Sequence, residues 1–338
     1  MQLYCGIDLH SNNSVISMID DTDHVISEKR LDNDLDIITQ HLEPFAQDIT
    51  GIVVESTYNW YWLVDGLIEN DYTVHLANTL AIKQYNGIKH SNDETDARFL
   101  AHLLRLNILP TGYIYPKAQR HVRDVLRRRL LLVRQRTAQL LSLQSMIMRH
   151  TGKRLTSHQV KHLTQEKLSL YFKDDATLFT AGHALQLIKQ LKTQVEEIED
   201  FVLSYCKQNT DFSIITSTPG IGKILGMTIL LETGPIERFS EVGHYSSYAR
   251  CVPTDKISNG KSKGKGNARN GNRYLAMAFV EAAHYATIWE PTIKRYYQRK
   301  CKRVALMVAK KTIANKLTRA CSHMLKNNTV FDITRAFG

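Results

Sequence analysis

The sequence lacks the features of a membrane, secreted or zinc-binding protein. No window of about 18 apolar residues is present, so a membrane-spanning helix is not expected. The first residues do not form a basic segment leading into a continuous apolar run, so no secretory signal is expected. The five cysteines are scattered without Cys-x-x-Cys spacing, which argues against a zinc site or a disulfide framework. We therefore expect a cytoplasmic protein with no membrane partner.

Basic residues are scarce in the first third of the 338-residue chain, and acidic residues are scarce in the remainder. Residues 1–110 contain 6 Lys and Arg against 17 Asp and Glu, whereas residues 111–338 contain 38 against 16. Solubility alone would not require so one-sided a division, and concentrated positive charge commonly binds nucleic acid. We expect domains with different tasks, the basic part of the chain being the one that binds DNA or RNA.

Residues 1–112 have the pattern of a mixed α/β domain. We expect strands at residues 3–9, 15–19, 25–31, 52–55 and 72–76, and helices at 35–45, 60–68, 78–85 and 93–106. Three strands followed by helix, strand, helix, strand and helix is the order of the ribonuclease H-like fold. In that fold an antiparallel meander contributes its first strand to a mixed sheet.

Residues 113–208 predict an antiparallel coiled-coil arm. Two long amphipathic helices, at about 119–148 and 177–206, flank a polar joint at 151–173. Such an arm is typical of a partner or dimer surface. Seven arginines crowd the polar face of the first helix, so a nucleic-acid face also fits.

Residues 209–338 predict a mainly helical domain that opens with a glycine turn. Gly220 and Gly222 precede a helix at 224–231, and backbone N–H groups at a helix N-terminus suit a phosphate. The turn resembles the hairpin of helix-hairpin-helix DNA binders, although a plain turn explains it equally well. Further helices are expected at 274–286, 288–303 and 304–326, and the last two are strongly basic.

A segment at residues 256–273 combines six basic residues with four glycines and no acid. It cannot build a core, so we expect a loop that is ordered in place or on binding. Ser258 and Ser262 lie in it, and both are candidates for a nucleophile because glycine and lysine allow a phosphate to approach closely. The candidate nucleic-acid contacts of this domain are Lys256, Lys261, Lys263, Lys265, Arg269, Arg273, Gly220 and Gly222.

Four carboxylates of the first domain are candidate metal ligands. Asp8 lies within an apolar strand, Glu55 ends another, and Asp93 and Asp96 share one face at a helix start. In a ribonuclease H-like sheet these positions converge, and we expect no basic residue between them. A cluster of this kind repels itself unless it binds hard cations, and two Mg²⁺ ions on oxygen ligands suit phosphoryl transfer.

Each carboxylate also has a simpler explanation. Asp93 can cap its helix, Asp96 can be a solvated acid of the first turn, and Glu55 can merely end a strand. Asp8 is the hardest to explain in this way, because a carboxylate within an apolar strand is costly to bury without a cation. Taken together in this strand order, the four residues favour a metal site.

Several segments resemble the one-ten insertion-sequence family of transposases, the RNA-guided DEDD recombinases that include pilin-gene invertases. The resemblance extends over nearly the whole chain in order and spacing. The matching segments are YCGIDLH around Asp8, VVES around Glu55, SNDETDARFLAHLL around Asp93 and Asp96, TPGIGKILGMTILLETG, and YSSYARCVPTDKISNGKSKGKGNARNGNRYLAMAFVEAAH.

The resemblance implies a RuvC-like nuclease domain at 1–112, a coiled-coil arm at 113–208 and a transposase domain with a nucleophilic serine at 209–338. The family's Ser-Gly-Gly-Lys pattern falls on Ser258-Asn259-Gly260-Lys261, so the resemblance favours Ser258 over Ser262. Asn259 replaces the first glycine and is compatible with a left-handed turn. A bridge RNA, donor and target DNA, and a site shared between subunits of a dimer or tetramer are implied as well.

The expected function is therefore an RNA-guided DNA transposase or recombinase that forms a covalent phosphoserine intermediate in the bacterial cytoplasm, at the nucleoid. A site-specific DNA invertase is an alternative outcome of the same chemistry. A metal-dependent junction-resolving nuclease would need the carboxylates but not Ser258. A non-catalytic nucleic-acid-binding protein would need only the basic half.

Overall fold

The computed structural model describes residues 1–82, 93–265 and 270–338, apart from the side chains of residues 255–257, 262 and 265. The chain divides into two compact units, Met1–Lys117 and Ala118–Gly338. The expected arm and the expected transposase domain both lie in the second unit. The division of the chain into three domains stays a prediction.

The described residues of the first unit form a six-stranded mixed sheet with three α-helices. Its strands lie in the order β3-β2-β1-β4-β5-β6; β1 pairs antiparallel with β2 and parallel with β4. The elements are β1 (Leu3–Leu9), β2 (Asn13–Ile19), β3 (Val25–Asp32), α1 (Leu35–Leu42), β4 (Ile49–Glu55), α2 (Tyr61–Glu69), β5 (Val74–Ala77), α3 (Asp93–Arg105) and β6 (Thr111–Gly112). The three-strand meander and the mixed sheet were both predicted from the sequence.

The alternation of side chains along β1 sends its residues to two different layers. Cys5, Ile7 and Leu9 are buried in the core that includes residues of α1 and α2. Gly6 and Asp8 therefore lie on the opposite face, where α3 crosses the sheet. Gly6 allows this approach, because a Cβ atom there would lie 1.9 Å from the carbonyl oxygen of Ala97.

Two features of the first unit differ from the expectation. The predicted helix at 78–85 is a turn over its described part, where the carbonyl of Asn78 accepts from the N–H groups of Ala81 and Ile82. Residues 83–85 lie outside the described residues. The two-residue strand β6, which pairs antiparallel with β5, is too short to give a periodic pattern.

The second unit begins with two long helices, α4 (Lys117–Thr151) and α7 (Asp175–Cys206), which were both predicted. Their buried residues pair in opposite directions. Leu126 packs with Val202, Leu132 with Leu191 and Val195, and Leu143 with Leu185. The helices are therefore antiparallel.

The segment between these helices is more than the expected polar joint. It contains α5 (Ser157–Lys161) and α6 (Gln165–Leu168). Val160, Leu168 and Phe172 are buried against α4 and α7. Periodicity did not reveal this cap because its helices are only one turn long. No helix within the described residues is both long and apolar enough to span a membrane.

The rest of the second unit is helical around one apolar core, with a single two-stranded hairpin. Its elements are α8 (Thr210–Thr216), α9 (Lys223–Thr233), α10 (Val242–Tyr248), β7 (Asp255–Ser258), β8 (Lys261–Lys265), α11 (Arg273–Trp289), α12 (Pro291–Cys301), α13 (Leu306–Asn327) and α14 (Ile333–Phe337). The core centres on Leu275, Phe279 and Ala282 of α11 and Ile313 and Leu317 of α13.

A buried polar network joins α4 to this core. The Arg127 guanidinium donates to both oxygens of Glu232, from Nε at 2.6 Å and Nη2 at 2.7 Å. Glu232 is 1% exposed and also accepts from Asn272 Nδ2 at 2.7 Å. Arg127 in turn lies over the Tyr274 ring. Each member therefore has partners in the network, as a buried charge requires.

Substituting Gly6 by Ala is expected to destabilise the first unit by about 3 kcal/mol or more. The added methyl meets the backbone of α3, which cannot move aside as a side chain can. The measurement is urea unfolding followed by the fluorescence of Trp60 and Trp62, which both lie in this unit. Gly112→Ala is the matched control. Its Cβ would make only ordinary contacts, so a change within about 1 kcal/mol is expected. Equal effects of both variants would contradict the proposed role of Gly6.

Candidate active site

Two carboxylates stand side by side at the carboxyl ends of β1 and β4. Ile7 pairs with Val54 in the parallel register, and Asp8 and Glu55 are the next residues of the two strands. Both point to the face that α3 covers, since Gly6 and Val53, two residues earlier, contact α3. Asp8 is only 5% exposed and Glu55 is half-buried. Their side chains share a hydrogen bond.

The helix α3 brings two further carboxylates to this edge. Asp93 is its first residue, and Asp96 lies in the same first turn. Ligand atoms of Asp8, His10 and Asp93 all lie within 4.8 Å of one another. Asp96 is close enough to Glu55 to raise its pKa. The four predicted carboxylates are therefore gathered at one edge of the sheet.

His10 is also a member of this cluster, although the sequence alone assigns it no role, because a lone histidine is more often structural. Its Nε2 lies 3.4 Å from Asp8 Oδ2 and 3.3 Å from Asp93 Oδ2, without hydrogen-bond geometry to either. The backbone carbonyl of His10 accepts from the side-chain amides of Asn33 at 3.0 Å and Asn59 at 2.9 Å. Two amides thus fix the residue just beyond the end of β1. Its position two residues after Asp8 was the only signal in the sequence.

The expectation that nothing basic lies among the carboxylates was wrong. Arg30 of β3 donates from Nη2 to Asp93 Oδ2 at 2.6 Å and from Nη1 to Asn13 at 2.9 Å. His10 and Arg30 therefore both contact Asp93. The meander places β3 two strands away from β1, but the long arginine side chain reaches back to the start of α3.

The electrostatics of the cluster differ between its two sides. Burial, the hydrogen bond to Asp8 and the negative charges of Asp8 and Asp96 raise the pKa of Glu55 to about 7. The hydrogen bond from Arg30, with the nearby His10, lowers the pKa of Asp93. The carboxylates around Glu55 therefore need a positive charge, whereas Asp93 already has the positive charge of Arg30 beside it.

These residues fit a divalent metal ion. Asp8 supplies a buried carboxylate, and the raised pKa of Glu55 shows that two adjacent negative charges are unfavourable without added positive charge. Carboxylate oxygens are the ligands that Mg²⁺ and Mn²⁺ prefer, and imidazole nitrogen suits first-row transition metals. Asp8, His10, Glu55, Asp93 and Asp96 are the residues that could hold such an ion.

Ser258 lies in the second unit, at the end of β7, and the expected loop is a β-hairpin. Asn259 and Gly260 have φ of 50° and 70°, so both central residues are left-handed, as in a type I′ turn. Ser258 pairs with Lys261 across this turn and is exposed. The Asn-Gly pair between two runs was the signal for a hairpin. Ser262 lies in β8, opposite Ile257.

The other candidate nucleic-acid contacts have different surroundings. Lys261 and Lys263 are exposed on the hairpin, and Arg273 is exposed at the start of α11. The side chains of Lys256 and Lys265 are outside the description, and Arg269 lies outside the described residues. Gly222 faces open space, whereas a Cβ at Gly220 would lie 2.3 Å from the carbonyl of Ala282 on α11. Packing alone therefore explains the glycine at position 220.

Comparison with known proteins identifies relatives for both units. The profile of the transposase family IS116/IS110/IS902 matches residues 212–298. A second profile, a transposase of the DEDD type from IS110, matches residues 5–152. The first match contains the serine hairpin, and the second contains the carboxylate cluster.

Individual relatives match the chain over different lengths. The IS117 mini-circle protein of Streptomyces coelicolor is 24% identical over 100% of this chain and 97% of its own length. The transposase for insertion sequence element IS1111A of Coxiella burnetii is 20% identical over 96% of this chain and 86% of its own. A 43.6 kDa protein of insertion element IS110 from S. coelicolor is 33% identical, but over only 25% of this chain and 21% of its own length.

The raised pKa of Glu55 predicts a pH-dependent stability of the metal-depleted protein. Because the folded state holds this proton more tightly than the unfolded chain does, stability is expected to fall as pH rises from about 4.5 to about 7. Glu55→Gln should remove the loss of stability that the deprotonation of Glu55 causes over this pH range. The measurement is urea unfolding in EDTA at pH 5 and pH 7, followed by the fluorescence of Trp60 and Trp62.

Glu94→Gln is the control for this measurement, because Glu94 is an exposed carboxylate on α3. It should keep the wild-type difference between the two pH values. A Glu55→Gln variant whose stability still falls as much as that of the wild type would show that Glu55 does not hold the proton.

Proposed function

The chain belongs to the IS110 family of transposases, and on that basis we propose that it moves DNA by cutting and rejoining strands through a covalent phosphoserine intermediate. Its place in that family makes it an enzyme that acts on DNA. The observation that supports the mechanism best is the gathering of Asp8, Glu55, Asp93 and Asp96 beside His10. The same strand order supports a ribonuclease H-like, or RuvC-like, fold for the first unit.

The carboxylate cluster is proposed to hold divalent metal, Mg²⁺ in two sites. Bound metal would supply positive charge to the attacking and leaving oxygens of a phosphoryl transfer. Asp8 and Glu55 hold their positions on adjacent strands, and α3 carries Asp93 and Asp96 on a rigid element. Arg30 orients Asp93 by its hydrogen bond and reduces the negative charge on that side.

Ser258 is proposed as the nucleophile. Its Oγ loses a proton and forms a bond to a DNA phosphorus, while the bond from phosphorus to one deoxyribose oxygen breaks and that oxygen takes up a proton. Rejoining reverses these steps with the deoxyribose hydroxyl of a second strand. Support comes from the exposed position of Ser258 beside a left-handed turn, with Lys261 opposite it to contact phosphate.

Strand exchange needs at least two active sites, so we propose that the protein works as an oligomer. The antiparallel pair α4 and α7 is proposed as a coiled-coil arm that forms part of the interface. It leaves large apolar side chains exposed, including Leu141, Met148, Phe179 and Phe201. Of the seven arginines expected on the polar face of α4, Arg120 and Arg123 are buried, and Arg127 and Arg129 form ion pairs. The exposed Arg128 and Arg134 are proposed to bind the guide RNA that the family resemblance implies.

Ser258→Ala is expected to abolish the covalent protein–DNA adduct, because it removes the attacking oxygen. The full-length protein is incubated with labelled DNA from the ends of its element and the adjoining non-coding RNA, and adducts are separated on denaturing gels. Ser262→Ala is the matched control in the same hairpin and should form the adduct. Asp8→Asn should bind the DNA but lose strand exchange.

Two results would contradict this mechanism. Cleavage at the wild-type level by Ser258→Ala would identify a metal-dependent nuclease of the junction-resolving kind, in which water attacks. Full strand exchange by Asp8→Asn would remove the catalytic role of the carboxylates and leave a nucleic-acid-binding protein that uses its basic half.

His10 is proposed as a metal ligand beside the four carboxylates. His10→Ala should weaken Mn²⁺ binding about tenfold, at the lower end of the 10–100-fold losses seen when the surroundings of metal ligands are altered. Calorimetric titration measures the affinity. Pulsed electron paramagnetic resonance of bound Mn²⁺ should show ¹⁴N hyperfine coupling in the wild type and not in the variant.

His24→Ala is the control, because His24 lies in the exposed β2–β3 turn of the same unit. It should keep both the affinity and the nitrogen coupling. Mn²⁺ bound without nitrogen coupling in the wild type would mean that His10 positions Asp8 or Asp93 without touching the metal.

A further inference from the structure

A large cavity in the second unit is not used by the proposed chemistry. Its volume is about 920 Å³, within the range of sites that hold small organic molecules. Its walls come from α4, the turn at residues 216–222, and the helices α9 and α11. All of these elements belong to the second unit, which carries the excess of basic residues.

The cavity has both polar and apolar walls. At one wall the Arg127–Glu232 pair is held by Asn272, so its polar atoms are already fixed. Leu130, Val133 and Met277 make apolar walls. A site with this combination suits a planar molecule that has an apolar face and hydrogen-bonding edges.

Two aromatic side chains line the cavity from an exposed face of α11. Tyr285 and Trp289 are four residues apart, so they lie on one side of the helix. Tyr285 is 41% exposed and Trp289 is 76% exposed. Such exposure of a tryptophan is unfavourable in water and is typical of a surface that binds a ligand.

A cation lines the same cavity. Lys223 is exposed, lines the cavity and forms no ion pair with any carboxylate in the described parts of the chain. It is the first residue of α9, whose cap residue Gly222 has no side chain to satisfy the backbone N–H groups of the first turn. An anionic group in the cavity would therefore be matched by positive charge.

We propose that this cavity receives an unpaired nucleotide of the nucleic acid that the enzyme handles, its base stacked on Trp289 and Tyr285 and its phosphate beside Lys223. The inference rests on the proposed action on DNA, because strand exchange must pass through unpaired bases. Stacking on aromatic side chains is independent of sequence, since every base has a π face. A nucleotide matches both the aromatic pair and the cation, whereas an apolar peptide would leave Lys223 unmatched.

The test compares single-stranded with duplex DNA. Full-length protein in EDTA is titrated with a short oligothymidylate and with a blunt duplex of equal length. Trp60 and Trp62 of the first unit also emit, so the emission of Trp289 is measured as the part of the signal that the Trp289→Phe variant lacks. The single strand should quench this emission and protect it from iodide, and the duplex should do neither.

Variants then measure what the aromatic pair contributes. Trp289→Ala and Tyr285→Ala are each expected to weaken binding of the single strand about tenfold and binding of the duplex less than twofold. Trp289→Phe should recover most of the affinity because it keeps an aromatic face. Tyr58→Ala is the control, since the Tyr58 side chain is 84% exposed in the first unit and does not line the cavity. It should bind both probes as the wild type does.

Three outcomes would overturn the inference. Unchanged single-strand affinity in both alanine variants would show that the cavity does not hold a base. Equal losses for single strand and duplex would identify a surface that binds only the DNA backbone. A lower molar mass of the alanine variants than of the wild type by light scattering, with unchanged DNA affinity, would show that a second copy of the chain covers the aromatic pair. Because EDTA removes metal chemistry, these outcomes do not depend on Ser258 or on the carboxylates.

Discussion

The repulsion between Asp8 and Glu55 is the constraint on which the first unit depends. Two parallel neighbouring strands place both carboxylates on one face, and α3 covers that face. Neither strand can turn its carboxylate away, because a shift of one residue would send the whole apolar set of β1 to the wrong layer. The charge must therefore be balanced by a proton, by a side-chain cation or by metal. The raised pKa of Glu55 and the contacts of Asp93 with Arg30 and His10 are the forms of balance that the protein alone can provide.

The second unit resolves a similar problem in a different way. Glu232 is almost fully buried, and its charge is matched inside the protein by Arg127 and Asn272. Removing one partner of a buried ion pair costs about 3–5 kcal/mol, because the remaining charge has no solvent to stabilise it. This network connects α4 to α9 and α11. It leaves Glu232 with no need for a metal, in contrast to Asp8 and Glu55.

In the proposed mechanism, the two units divide the chemistry of a DNA strand transfer by charge. The acidic unit is suited to collect cations, and the basic unit offers a hydroxyl, exposed lysines and an aromatic cavity to a polyanion. The hairpin that carries Ser258 is short and rich in glycine. Beyond it, the carbonyl of Gly271 accepts hydrogen bonds from the Arg250 guanidinium at 2.9 and 2.6 Å.

Periodicity in the sequence by itself determined the strands β1–β4 and the helices α4 and α7, because these features repeat every two or 3.6 residues and are visible in one stretch of chain. The four carboxylates were identified by their place in that strand order. The tertiary structure decided the rest. It places His10 and Arg30 in the carboxylate cluster and packs the segment of α5 and α6 against α4 and α7. It also brings Lys223, Tyr285 and Trp289 to one cavity. Each of these results depends on contacts between residues distant in sequence, and no local pattern of apolar and polar residues encodes such distances.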